Sequence, residues 1–442
     1  MGAVAKAAGP DRLDPLGADP LLWRLFPALA TGVEWGLERT ERALAALGDP
    51  HRAFRSLHVG GTNGKGSVTA TLASVLERGH RVGTYTSPHL CSFLERILVD
   101  GRPLPEARRV AHADEAREHV ARFELTFFVA ATVLAVLAFA REGVEVAAVE
   151  VGLGGRLDAT NVLSPEVSGV TNIAMDHADY LGDTLELIAR EKAGIIEPGR
   201  PFVTGETDPA LLAVFADAAR RAGAPFHAVG PADVRDVRVG DAGTTFRMHT
   251  TSWGELSLAT PLVGAHQAMN SAVAVAMLDR VGEDLRPGVD AVREGVAGVR
   301  HRGRNELRMI RGCTWLFDVA HNPAGILTLA DTLDRLRLPR PLVGLVGILA
   351  DKDWRAMLSP LLERVDTLVL AVPPSAPADR RWDPAAAVTA LGVEGERAIV
   401  VQDFAGGVEV AERRARGGTV VVTGSVHTVG GAMKLLGVDP LA

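Results

Sequence analysis

The chain has 442 residues, 47% of them hydrophobic, with 47 basic against 54 acidic residues and a net charge of −7. That length implies two or three domains with ample core, and the acidic balance argues against nucleic acid as the main partner, which needs a basic footprint. Two cysteines, Cys91 and Cys313, make no disulfide framework and point to a reducing compartment. Residues 1–20, rich in Ala, Gly, Pro and Asp, are expected to be poorly ordered and carry no charged-then-apolar signal pattern. Leu21–Leu29 and Leu37–Leu47 have helical spacing, joined through a loop, Thr31–Gly36, with Trp35 at its tip.

Leu57–Ser67 reads LHVGGTNGKGS. A short strand ends in Gly60 and Gly61, turns through Thr62 and Asn63, and meets Gly64-Lys65-Gly66-Ser67 before the helical spacing of Val68–Glu77. Strand, glycine-rich loop and helix form a phosphate cradle: glycines let backbone N–H groups face an anion, and the helix start adds its positive dipole end. Lys65 is expected against the outer phosphates, with Ser67 capping the helix or near a metal ion. The pattern departs from G-x-x-x-x-G-K-[ST]: Val59 stands where the first glycine belongs, and Gly66 separates Lys from Ser.

Arg81–Thr86 reads as a strand ended by Ser87-Pro88-His89, and Glu95–Val99 as another with a turn at Asp100-Gly101. Glu106–Val120 is a polar helix. Leu125–Ala140, between Glu124 and Arg141, falls short of a membrane span and reads as a buried helix. Val146–Val151 is a nearly unbroken apolar strand of the kind buried in parallel sheets, running into Gly152-Leu153-Gly154-Gly155-Arg156. Val167–Ile173 is a strand running into Met175-Asp176-His177; a helix around Thr184–Ile195 and a strand at Pro201–Thr204 follow. Ser87, Glu150 and His177 all lie at or just beyond strand ends, where doubly wound sheets bind ligands. A buried carboxylate at Glu150 requires a cation. Read alone, Ser87 is a turn residue, His177 a capping or hydrogen-bonded histidine, and Lys192 a surface lysine paired with an acid. Asp233–Leu258 fits an antiparallel excursion and His266–Asp279 a helix. Beyond Arg293 the pattern restarts: Trp315–Val319, Leu342–Ile348, Thr367–Val372, Ala398–Val401 and Thr419–Thr423 are five further short strands with helical spacers, which puts the domain boundary near residue 298. The fold class is therefore α/β: a P-loop-containing doubly wound N-terminal domain, residues 1–298, and a smaller Rossmann-like C-terminal domain, residues 299–442.

Seven stretches together resemble the Mur ligase superfamily in its folylpolyglutamate synthase/dihydrofolate synthase branch: GTNGKGS (Gly61–Ser67), SPHL (Ser87–Leu90), LTFF (Leu125–Phe128), EVGLGGRLDATN (Glu150–Asn161), DHADYLG (Asp176–Gly182), EKAGI (Glu191–Ile195) and DVAHNP (Asp318–Pro323). The resemblance implies ATP-dependent ligation of L-glutamate to dihydropteroate or a reduced folate through an acyl phosphate, in a cytoplasmic, monomeric enzyme with no nucleic-acid or membrane partner. It places ATP on Gly61, Thr62, Asn63, Gly64, Lys65, Gly66 and Ser67, with Asn270, Arg304 and Asp318. It implies two Mg²⁺ sites on Ser87, Glu150, His177 and a carbamylated Lys192. The catalytic set is Lys65, Glu150, His177 and Lys192. Acceptor contacts fall on Glu34, Trp35, Gly36 and Leu37, on Thr126, Phe127 and Phe128, and on Leu157, Asp158 and Ala159. Asp158 is a pterin contact unless Arg156 pairs with it as scaffold, and Trp35 is a stacking platform or a staple onto the core. Val129 and Asn305 stand where the family usually has an acidic and an aromatic residue. His321 and Ser425 are candidates for glutamate, although an N-cap explains Ser425 equally well. A peptidoglycan-precursor ligase and a non-catalytic P-loop module are the competing readings; SPHL and LDATN disfavour the first, and a second α/β domain has no purpose in the other.

Overall fold

The computed structural model describes residues 36–393 and 395–441. Leu21–Leu29 and most of the Thr31–Gly36 loop, with Glu34 and Trp35, lie outside the described residues. The first eight strands are β1 (Arg55–Gly60), β2 (Val82–Tyr85), β3 (Ile97–Val99), β4 (Arg102–Pro103), β5 (Val146–Glu150), β6 (Val167–Val170), β7 (Phe202–Thr204) and β8 (Phe226–Ala228). They form one sheet in the order β4-β3-β2-β5-β1-β6-β7-β8, parallel except at the β2–β3–β4 edge. β5 is buried along its whole length beside β1, in a register that pairs Val59 with Glu150. Two central strands thus deliver the glycine loop and a carboxylate to the same sheet edge.

The helices around this sheet follow from what they bury. Helix Phe127–Arg141 has an apolar surface nearly all round because it packs against both the sheet and helix Glu106–Arg122. Val129 lies in that core, 6% exposed. Helix Ala265–Leu278 is likewise enclosed, between the sheet and a three-stranded antiparallel sheet of β9 (Val234–Gly240), β10 (Gly243–Thr250) and β11 (Gly254–Thr260). β10 and β11 alternate buried and exposed residues, the period-2 signature of a sheet with one wet face. Helix Val289–Gly298 lies against the loop helix, Lys65–Leu76, so closely that a Cβ on Gly295 would overlap Val75.

A six-stranded sheet follows: β12 (Glu306–Ile310), β13 (Cys313–Phe317), β14 (Leu342–Val346), β15 (Thr367–Leu370), β16 (Ala398–Val400) and β17 (Thr419–Thr423), in the order β12-β13-β17-β14-β15-β16. All neighbours are parallel except β12 on β13. The five strands expected from the sequence are present. β12 is an addition: a half-exposed edge strand with Met309 72% exposed, it lacks the apolar run that marks the others. Glu95 is also not a strand residue. It sits in a 3-10 turn, and its carboxylate accepts the N–H groups of Leu90, Cys91 and Ser92. Cys91 and Cys313 are buried free thiols. Among the described residues, no helix is long and apolar enough to cross a membrane.

Candidate active site

The loop after β1 is shaped by close approach. Gly64 takes φ +85 as the residue before the helix, and a Cβ there would lie 2.5 Å from Asn270 Oδ1. Gly61, at φ +131, lies against Thr171, whose hydroxyl donates to the Asn63 carbonyl at 2.6 Å. The helix begins at Lys65, so Ser67 is inside its first turn rather than a cap. Its hydroxyl is buried with no partner among the described residues, an orphaned donor beside an anion-shaped loop. Lys65 Nζ donates to the Thr62 carbonyl at 3.2 Å.

The loop forms the floor of a cleft between the two large sheets. Every residue from Gly61 to Ser67 lines it, together with Ser87, Glu150, His177, Lys192, Asn270, Arg304, Asp318 and His321. These positions span more than 250 residues of sequence: Ser87, Glu150 and Asp318 stand at strand ends, His177 and His321 just before helices, Lys192 and Asn270 within helices, and Arg304 in the segment between the domains. Glu150 Oε2 accepts the Ser87 N–H at 3.0 Å, and no side chain among the described residues donates to this carboxylate. Burial pushes its pKa up, against the pull of Lys65 and Arg304. Lys192 is not a surface lysine. It is 5% exposed, and its Nζ donates to the Gly61 carbonyl at 2.8 Å. Burial, reinforced by the charge of Lys65, brings its pKa down to about 7. Arg304 lies between Asp318 and Glu150, and burial lowers its pKa. The Asp318 carboxylate accepts the N–H groups of Ala320 and Asn305, each at 2.9 Å. Asn305 takes a left-handed φ of 49°, and its side chain donates to the Val263 carbonyl at 3.0 Å, tying the domain junction to the first domain.

The residues expected to face the acceptor stand next to the cleft. Phe127 and Phe128 are half-buried, Phe128 lies over Gly152 closely enough to exclude a Cβ there, and Thr126 precedes their helix. Asp158 is 5% exposed, its oxygens engaged by the N–H of Leu153 and by the N–H and hydroxyl of Thr160. Arg156 pairs with Glu191 at 2.9 Å, not with Asp158. Gly36 and Leu37 lead into helix Glu38–Ala46, which shares a core with Ala159. Asn270 donates to Gln267 Oε1 at 3.1 Å rather than to backbone. Ser425 does not line the cleft: its hydroxyl donates to the Gly347 carbonyl and accepts the Thr428 N–H, the N-cap role that its sequence position allows.

Sequence reasoning missed a polar cluster that joins the domains across the cleft. Asp176 Oδ1 accepts from Lys352 Nζ at 2.6 Å, and its Oδ2 accepts from Asn322 Nδ2 at 3.1 Å and stands 3.3 Å from His321 Nε2. Asn322 in turn bonds Asn63 of the glycine loop. Burial favours the neutral Asp176 carboxyl, but the His321 hydrogen bond and the charges of His321, His177 and Lys352 outweigh it and hold the pKa far below the usual carboxylate range. The signal was an Asp-Lys-Asp run just past an apolar strand, Leu342–Ile348, at the strand end where this fold places ligands.

The donors present fit a hard divalent cation. Glu150 offers a carboxylate with no side-chain donor, Ser87 and Ser67 offer hydroxyls, and the cleft holds loop N–H groups for phosphate. Among the described residues no three His, Cys, Asp or Glu side chains converge as a dedicated metal cage. That suits Mg²⁺, which takes one or two carboxylates and completes its shell with water and substrate phosphates.

Residues 59–278 match the Mur ligase middle domain, and residues 303–426 the Mur ligase, glutamate ligase domain. A dihydrofolate synthase/folylpolyglutamate synthase of Mycobacterium tuberculosis is 35% identical over 93% of this chain and 92% of its own length. The Escherichia coli enzyme of the same description is 34% identical over 91% and 92%. Among solved structures, Mycobacterium tuberculosis folylpolyglutamate synthase complexed with ADP superposes with a TM-score of 0.83 at 34% identity, covering 91% of this chain and 95% of that one. Escherichia coli FolC in complex with DHPP and ADP gives 0.83 at 33% identity, covering 96% and 99%. With both domains matched in order and these relatives aligned along nearly their whole length, the chain belongs to the dihydrofolate synthase/folylpolyglutamate synthase family of ATP-dependent Mur-type ligases.

Proposed function

We propose that the cleft joins L-glutamate to dihydropteroate and to reduced folylpolyglutamates with ATP as co-substrate, in a cytoplasmic monomer. The observation that carries this reading is the convergence of the glycine loop, Lys65, Arg304 and the side-chain-unpartnered Glu150 on one interdomain cleft. In the first step an acceptor carboxylate oxygen attacks the γ-phosphorus of ATP, the bond to ADP breaks, and an acyl phosphate forms. In the second, the glutamate amine attacks the acyl carbon, the amide forms, a proton leaves the nitrogen, and phosphate departs. Lys65 and Arg304 face the charge on the transferring group, and the loop N–H groups hold the phosphates in line. Residues 1–298 bind ATP and acceptor, whereas residues 299–442 bring glutamate, with His321 at the cleft wall, and close over the acyl phosphate to exclude water. Asn270 and Asp318 complete the nucleotide site; Glu34–Leu37, Thr126–Phe128 and Leu157–Ala159 form the acceptor face.

Mg²⁺, when bound, neutralises phosphate charge; Glu150, Ser87 and His177 would hold it, with Lys192 serving a second ion as its carbamate. The pKa of about 7 supports that modification. A neutral amine attacks CO₂, forming an N–C bond and losing a proton, which yields an anionic oxygen ligand. The test is steady-state ligation with dihydropteroate and with a tetrahydrofolate at saturating ATP and glutamate. Amide product from both supports the bifunctional reading, and product from the tetrahydrofolate alone restricts the enzyme to polyglutamylation.

A further inference from the structure

A second cavity adjoins the cleft and is assigned to nothing so far. It holds about 530 Å³, against about 170 Å³ for the cleft itself, and the two share Pro88, Arg304 and Val426 as a common wall. Its sides are the end of the loop helix, the β3–β4 turn and the interdomain segment that carries Arg300, His301 and Arg302. The charges on its rim are unequal. Arg102 and Arg300 are exposed and make no ion pair among the described residues. The acids nearby are already engaged. Glu95 is turned inward onto three backbone N–H groups. Asp100 accepts the Val82 N–H at 2.9 Å and lies 3.4 Å from Arg81. Burial, with Asp100 alongside, pushes the Glu77 pKa up to about 7, so this acid is only part-ionised near neutrality. At the inner end, His301 presents an enclosed Nε2 with no partner among the described residues. A Cβ on Gly66 would lie 2.5 Å from that nitrogen and 3.3 Å from Glu150, so the imidazole reaches the phosphate loop itself.

We infer that this cavity holds the oligoglutamyl tail of acceptors that already carry several glutamates, with Arg102 and Arg300 pairing to its carboxylates. The inference rests on the ligase reading above. Each cycle adds a residue with two carboxylates and consumes one, so the tail gains one negative charge per turn. The next terminal carboxylate must return to Lys65 and Glu150, so the rest of the tail needs space continuous with that point and cations along it. The adjoining trough supplies both.

The test uses the whole chain with tetrahydrofolate acceptors carrying one or four glutamates. The wild type is expected to show a lower KM for the longer acceptor. The Arg102→Ser/Arg300→Ser double variant, whose changes are on exposed side chains, is expected to lose about fourfold of that advantage, roughly two surface ion pairs. Its kcat and KM for the one-glutamate acceptor are expected to stay at wild-type values. Raising salt should weaken the longer acceptor more steeply in the wild type than in the variant. A double variant that keeps the full length preference, or a wild type that ligates the short acceptor and shows no length preference, overturns the tail site and leaves the ligase intact. A wild type that ligates neither these acceptors nor dihydropteroate overturns the ligase reading and the tail site together, and one that ligates dihydropteroate alone overturns the tail site only.

Discussion

Lys352→Met removes the cation that links the second domain to Asp176. The two side chains are 9% and 6% exposed and approach to 2.6 Å. At an effective dielectric of 20 the gross attraction at that distance is about 6 kcal/mol, much of it offset by the desolvation of both ions. Removing one partner is costlier than the net worth of the pair, because the other charge stays buried; about 3–5 kcal/mol is typical. Asp176 keeps Asn322, His321 and the His177 N–H, so the lower figure, about 3 kcal/mol, is expected. Asp176→Asn alone leaves the lysine with only the longer contact to Asp351, at 3.7 Å, whereas the double variant strands neither charge. A double-mutant cycle from urea unfolding should therefore give a coupling of about 2 kcal/mol. A coupling below about 0.5 kcal/mol, the value of an exposed pair, would refute the view of this cluster as a buried interdomain clasp.

Lys192→Ala should lose ligase activity, and a short-chain carboxylate should restore part of it. With ¹³C-bicarbonate, a carbamate resonance should strengthen as pH rises through about 7, where the amine loses its proton; an unmodified Lys192 in a nucleotide-bound crystal structure would contradict this. Gly61→Ala places a Cβ against the Thr171 hydroxyl and backbone at φ +131 and should destabilise by about 2–4 kcal/mol, whereas Gly48→Ala, at φ +83 with open space around it, should cost about 1 kcal/mol in the same unfolding assay. His58, His266 and His301 are held neutral by burial, with pKa values of about 3, 4 and 3 against 6.5 when unfolded. The unfolded chain therefore binds protons that the folded chain excludes as pH falls below 6.5. Stability should drop between pH 6.5 and about 4 by roughly 1 kcal/mol per histidine at pH 5.5, partly offset by Glu77. A melting temperature unchanged from pH 7.5 to 5.5 would contradict it.

The glycine loop, the central strands and the strand-end residues Ser87, Glu150 and Asp318 were legible because each carries a local signature: an apolar strand, then a small or polar residue where the chain turns. Asn270, inside a helix, and Arg304, in the interdomain segment, carry no such signature and came from the resemblance alone. Glu150 could be singled out because a carboxylate ending VAAVE has to be buried. The contacts between domains were not legible. Nothing local to Lys352 or Asp176 states that they meet, since their pairing depends on the angle between two sheets. Lys192 read as a surface residue for the same reason: its helix spacing is ordinary, and only the packing of helix Leu185–Ala193 against the glycine loop encloses it. Ser425 shows the converse. Its strand-end position suited a ligand or a cap, and the hydrogen bonds to Gly347 and Thr428 place it in the second role. β12 escaped notice because an exposed edge strand has no buried face to imprint on its sequence.

The central claim is that the acceptor carboxylate is activated by phosphoryl transfer in this cleft. It is tested most directly with an acceptor labelled with ¹⁸O in the reacting carboxylate, turned over with ATP and glutamate, and mass analysis of the released phosphate. Activation as an acyl phosphate predicts one ¹⁸O in phosphate for each amide formed, and none with Lys65→Ala, which should not turn over. Amide formed with all of the label remaining outside the phosphate would contradict the account.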